Sequence, residues 1–175
     1  KISSFTSGKS EVKSVSVGLK GIVLSGIKVF FTDDSEITVK KIIIAPNLFP
    51  FPRKQIAINE IKIVNPVVKF NLSFADKDIG SLMKLPAGHT LILNRVIVED
   101  GEVYCPKGEF NISKLNVDIK NASVSNPFPV ELFFNVHNTD VSIKLECNFR
   151  TQQLLIEDAT VRSGRESLLL TGEIK

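Results

Sequence analysis

Two patterns of apolar residues, one nested in the other, limit what this chain can become. The first is strict alternation. From Phe128 the sequence reads FPVELFFNV, with Phe128, Val130, Leu132, Phe134 and Val136 on one parity. After a turn at His137-Asn138-Thr139-Asp140 it reads VSIKLECNFR, where Val141, Ile143, Leu145, Cys147 and Phe149 alternate with Ser142, Lys144, Glu146, Asn148 and Arg150. Successive side chains of a strand point to opposite faces, so this spacing predicts an antiparallel hairpin with one apolar and one polar face. Thr151-Gln152-Gln153 then turns into LLIEDATV, and Ser163-Gly164-Arg165-Glu166 into SLLLTGEIK. The tail therefore predicts a four-strand meander.

The second pattern interrupts the first. Several segments follow the template φxφxxφxφxx[G/P], with φ apolar. Ile56, Ile58, Ile61, Ile63 and Pro66 fit it, as do Leu91, Leu93, Val96, Val98 and Gly101, and again Leu154, Ile156, Ala159, Val161 and Gly164. Ile22, Leu24, Ile27 and Val29 match the apolar positions, with Thr32 in the terminal place. Phe110, Ile112, Leu115 and Val117 match the apolar half alone. In a chain that is 43% apolar, with 10 Gly and 8 Pro, chance supplies roughly 0.6 copies of the full template, against the three found.

The doubled x carries the physical content. An alternating strand that skips one residue turns its apolar set to the other face, and a β-bulge or sharp bend restores it while adding twist. Repeated in successive strands, such bends predict a strongly coiled antiparallel sheet. That sheet can close into a barrel, fold onto another as a closed β-sandwich, or stay open as a trough.

One short helix is expected. In ADKDIGSLMKLP, Asp76 or Asp78 can cap it, Ile79, Leu82, Met83 and Leu85 form a stripe, and Pro86 stops it. This crossover, near residues 75–86, would join two halves of a single β domain over 1–175. The loop Pro46-Asn47-Leu48-Phe49-Pro50-Phe51-Pro52 reads either as a plug over the core or as an exposed patch. The chain starts at Lys1 with neither an initiator Met nor a signal peptide, as expected of a fragment of a longer chain. No window reaches the roughly 20 apolar residues of a bilayer span.

Sites of chemistry are scarce. No GxSxG, HExxH, P-loop or GxGxxG occurs, and the two histidines, His89 and His137, lie in turn-like stretches, so the chain reads as no enzyme and as needing no cofactor. Nothing marks Cys147 and His137 as a catalytic pair. Cys105 and Cys147 allow one disulfide at most and have no CxxC spacing; Cys147 continues an apolar alternation, as a buried thiol does. Glu99-Asp100-Gly101-Glu102 and Asp76-Lys77-Asp78 lack EF-hand spacing and read as tight turns. Asn71, Asn111 and Asn121 each begin an N-x-Ser triplet, which matters only in a secreted eukaryotic protein.

Charge narrows the partners. The net charge is +3, from 22 basic and 19 acidic residues, and Lys62, Lys69, Lys144 and Arg150 alternate with apolar residues along strands. That puts them on a solvated face, without the interleaved aromatics of a nucleic-acid platform. Twelve Phe against one Tyr and no Trp make dry aromatic surface. The apolar face is what remains. At about 0.8 kcal/mol per buried CH₂, a sixteen-carbon acyl chain laid along it gains on the order of 10 kcal/mol gross.

Several runs resemble the AsmA-like proteins. QIAINEIKIVNPVVKFNLSF (Gln55 to Phe74) and the DIGSLMKL helix are similar to that family's "I-x-I-x-x-P-x-V-x-L" strand and "N-L-x-x-L-L" helix. TLILNRVIVEDGEVYC from Thr90, with a Val98-Glu99-Asp100-Gly101-Glu102-Val103 turn, resembles its "I-x-x-G-x-V" element. LLIEDATVRSGRESLLLTGEIK resembles the closing "L-x-G-x-I" hairpin, a form shared with TamB-like chains, and KGIVLSGIKVFF…ITVKKIIIAPNLF resembles the family's first strands. The resemblance covers most of residues 17–175. It implies a coiled β-taco, a half-pipe with an apolar interior, in a periplasmic protein anchored to the inner membrane by a segment absent here. It also implies a part in phospholipid transport or outer-membrane assembly, with envelope proteins or adjacent β-repeats as neighbours. The family works through a stripe, so the resemblance carries over no catalytic residue.

The expected mechanism is passive: phospholipid acyl chains lie against the apolar parity while headgroups face the open edge. The expected lining is Ile56, Ile58, Ile61, Ile63, Val68, Phe70, Leu91, Leu93, Val96, Val98, Val130, Leu132, Phe134, Val141, Ile143, Leu145 and Phe149. The alternative is a closed sandwich that acts as a scaffold or interaction module and binds no ligand.

Overall fold

The computed structural model describes residues 9–19, 21–31, 35–47, 55–69, 90–105, 110–123, 126–148, 153–164 and 166–174, with 55, 56, 90, 91, 110, 153, 154, 173 and 174 described by their backbone. Ten strands follow one another along the chain: β1 (Ser10–Gly18), β2 (Gly21–Phe30), β3 (Glu36–Pro46), β4 (Gln55–Lys69), β5 (Thr90–Cys105), β6 (Phe110–Ala122), β7 (Phe128–Val136), β8 (Thr139–Asn148), β9 (Gln153–Ser163) and β10 (Glu166–Ile174). They form one sheet in chain order, with β1 and β10 at its two edges. The sheet is not closed, and its fold is the coiled, mainly-β one that the doubled x predicts. The expected helix, the tip of the Pro46–Pro52 loop, Phe70, His89 and Phe149 lie outside the described residues.

One pairing departs from the antiparallel expectation. Eight neighbour pairs are antiparallel, but β4 and β5 run parallel. The template does not choose the direction, because its apolar spacing reads the same both ways and β2 with β3 matches it antiparallel. Its first two copies are offset by 35 residues, and that offset is the register: Ile56 faces Leu91, Ile58 faces Leu93, Ile61 faces Val96 and Ile63 faces Val98. Because β4 and β5 run the same way, the chain must cross back between Lys69 and Thr90.

The alternating tail folds as expected into β7–β10. His137 and Asn138 form a two-residue turn with φ of 47° and 64°, the left-handed pair that matches the twist of a tight hairpin. On β7, Phe128 and Val130 are buried while Pro129, Glu131 and Phe133 are exposed. At the other end of the sheet, Gly21 (φ 117°) passes so close to β3 that a Cβ there would overlap the Ile44 carbonyl.

In four strands the doubled x is a backbone irregularity. In β2 it is Ser25-Gly26 with Gly26 at φ 62°, and in β6 it is Ser113-Lys114 with Lys114 at φ 52°. In β4 and β9 the register slips by one residue beside Asn59 and Glu157. A second set of bends precedes the terminal Pro or Gly, at Asn65 (φ 48°) and Asp100 (φ 50°). The expected Val98–Val103 turn, and with it the tight turn at Glu99-Asp100-Gly101-Glu102, is therefore corrected: these residues lie within β5, bent but unbroken. Asp100 accommodates the left-handed conformation because its short polar side chain tolerates it. Its N–H donates to Asn116 Oδ1 at 3.3 Å.

Candidate apolar groove

Cross-strand partners point to the same face, so the register converts scattered apolar positions into rows. One row runs Val15, Leu24, Ile42, Ile63, Val98, Val117, Leu132, Ile143, Ala159 and Leu170, one residue from each of the ten strands. A second runs Val17, Ile22, Ile44, Ile61, Val96, Ile119, Val130, Leu145, Ile156 and Gly172. Neither row contains a polar side chain. In nine strands the two rows are two residues apart and share a face by alternation; in β9 the slip beside Glu157 keeps Ile156 and Ala159 on it.

The expected lining residues whose side chains are described lie on this face, while Phe70 and Phe149 lie outside the described residues. Ile61, Ile63, Val96, Val98, Val130, Leu132, Ile143 and Leu145 belong to the two rows. Val68 and Phe134 with Val141 extend them toward one end, and Ile58 with Leu93 toward the other. Ile56 and Leu91 are paired in the backbone. The rows also run through β1, β2, β3, β6, β9 and β10, beyond the expected lining. For β3 the signal was present: Ile37, Val39, Ile42 and Ile44 are the apolar half of the template, masked by the run Ile42-Ile43-Ile44.

The face is not sealed. Among the described apolar residues only Val39, Cys105, Phe128, Val130 and Ala159 are buried; most of the two rows is half-buried. Among the described residues there is one sheet, and no second layer stands opposite its apolar rows.

The opposite face is polar and tied across strands. Arg95 donates from Nε and Nη2 to the two carboxylate oxygens of Asp118, each at 2.8 Å, and this paired bond holds the Asp118 carboxyl below the usual carboxylate range. Lys62 pairs with Glu99 at 2.6 Å across the parallel joint. Lys120 reaches Glu131 at 3.5 Å. Asn94 donates to Asn59 Oδ1 at 3.1 Å, linking β4 and β5 at the matching bends. A shallow depression of about 310 Å³ on this face is lined by Ile97, Asp118, Glu131, Phe133 and Lys144 among others.

His137 sits in the turn before β8 and Cys147 near the far end of that strand, so the two are not a pair. Cys105 faces Phe110 and Cys147 faces Phe128, at opposite ends of the sheet; both are free thiols, and no disulfide joins them. Burial pushes the Cys147 thiol up, away from a reactive thiolate. Among the described residues no group of three His, Cys, Asp or Glu could hold a metal ion, and no helix is long and apolar enough to cross a membrane. No family model, curated protein or solved structure matches the chain.

Proposed function

We propose that this chain is a lipid-binding domain of the bacterial envelope that carries phospholipid acyl chains along an open apolar trough. What carries the reading is the pair of rows that crosses all ten strands without a polar side chain. An uninterrupted apolar surface is costly in water, and hydrocarbon covers it with no demand for specific hydrogen bonds. Acyl chains would lie on the rows and headgroups would stay at the open edge. Nothing in such a mechanism needs a nucleophile, a metal or a cofactor. The resemblance to AsmA-like proteins adds the setting: the periplasm, beside the inner membrane, in phospholipid transport or outer-membrane assembly.

Native mass spectrometry of the purified chain tests this. Bound phospholipid, lost when half-exposed lining residues such as Leu132 and Ile143 are cut to Ala, is the expected result. Protein free of lipid, with no uptake from phospholipid vesicles, would overturn the reading and leave the scaffold alternative.

A further inference from the structure

Among the described residues eight strands have a partner on each side, and β1 and β10 have one. Natural sheets blunt such edges with lysine, proline, bulges or inward charges, because an unpaired strand is a template for another chain. In β10 the charges sit near the ends, at Glu166 and Glu173, and the middle is Leu168-Leu169-Leu170, exposed at 56%, 65% and 52%. On β1 the apolar rows begin at Val15 and Val17, exposed at 60% and 79%. The rows therefore reach both edges exposed, with no described residue across them.

Direction and charge say what fits there. One parallel joint among eight reversals leaves β1 and β10 running the same way, so a β10 that continues into the β1 of another molecule must pair in parallel. The molecule already contains such a joint at β4 and β5, with its rows in register. Residues 1–69 hold eleven Lys or Arg against five Asp or Glu, a net +6; residues 90–175 hold nine against twelve, a net −3. Across the internal joint this asymmetry is expressed as Lys62 against Glu99. A second copy offers the same match, its cationic β1 side against the anionic β10 side. Symmetric pairing of β10 with β10, or of β1 with β1, would bring like charges together.

We infer that copies of this chain associate head to tail, β10 of one pairing in parallel with β1 of the next, so that Leu170 continues into Val15 and the apolar trough runs on from copy to copy. The contact is heterologous, so each added copy presents the same free edge again. This holds whether or not the trough carries lipid.

Disulfide trapping tests it, in the full chain with Cys147→Ala and the buried Cys105 kept. Under oxidation the double variant Val15→Cys, Leu170→Cys should give a ladder of dimers and larger species. Each single variant should stay monomeric, and a mixture of the two singles should stop at dimers. The yield should fall in about 0.5 M salt, where charge attraction is screened. Dimers from Leu170→Cys or Val15→Cys alone would overturn the inference in favour of a symmetric edge. Should Cys147→Ala impair folding, sedimentation of the unaltered chain at roughly 100 µM decides instead. Association weakened about tenfold by Leu169→Lys supports the inference, and a monomer at that concentration overturns it.

Discussion

The strands before the parallel joint and those after it reach the same apolar rows by different means. In β1–β4 the outer face is itself partly apolar: Val23 faces Ile43, and both are half-buried. Cations there outnumber acids, and Gly26 and Asn65 turn the strands in left-handed conformations. In β7–β9 alternation is close to strict and the outer face is a charge ladder, Glu131 to Lys144 to Asp158. The tail also holds three of the buried apolar residues, Phe128, Val130 and Ala159. The lesson is that a continuous row does not require a uniform strand. It requires that each bend occur in step with its neighbour's, as Asn65 does with Asp100 across the joint.

Substitutions can break that comparison. The largest difference is expected between a buried tail position and an edge position of the same face. Val130→Asp, at 7% exposure, should cost about 3 kcal/mol or more in urea unfolding, because it buries an unpaired charge. Val15→Asp, at 60% exposure, should cost about 0.5 kcal/mol or less. An equal loss would mean that the β1 edge is covered.

The joint itself is tested by Gly101→Ala. A Cβ there would lie 3.2 Å from Pro66 Cγ and 3.3 Å from both Leu115 Cβ and its carbonyl oxygen, tighter than ordinary contact on two sides. A loss of about 1–3 kcal/mol is expected from overpacking, read by thermal or urea unfolding. No loss would show that β4, β5 and β6 have room to spread.

The smallest effect belongs to the polar face. The Asp118 carboxyl, held below its usual range by Arg95, stabilises the fold at neutral pH. That contribution persists as pH falls to about 4 and is lost as pH drops through the depressed native value. Asp118→Asn should cost about 1 kcal/mol or less at pH 7 and flatten the decline in stability below about pH 4. An unchanged acid limb would mean that the Arg95 bond makes no net contribution.

Strand content and facing were legible where the period of two was undisturbed. The β7–β8 hairpin and its turn could be written down from Phe128 to Asn148, because alternation is a local property. The doubled x was legible as a bend, but its terminal Pro or Gly was ambiguous. Gly164 does end a strand, at a turn with φ 61°, whereas Pro66 and Gly101 are inward positions in mid-strand that lie against each other. The same letters serve both roles, since proline and glycine permit a turn and also permit close packing. Reading Glu99-Asp100-Gly101-Glu102 as a turn failed for that reason. The lining of β3 was missed because three consecutive isoleucines hide which one faces inward.

Taken alone, the sequence determined that the chain is β, that its strands are two-faced, and that they bend at the repeated positions, since backbone sterics and side-chain alternation act over a few residues. The tertiary structure alone decided that β4 and β5 run parallel, that the rows join across ten strands, and that the two edges remain unpaired. Those outcomes depend on pairing between residues tens of positions apart, where many registers satisfy the local pattern and only the sheet as a whole selects one.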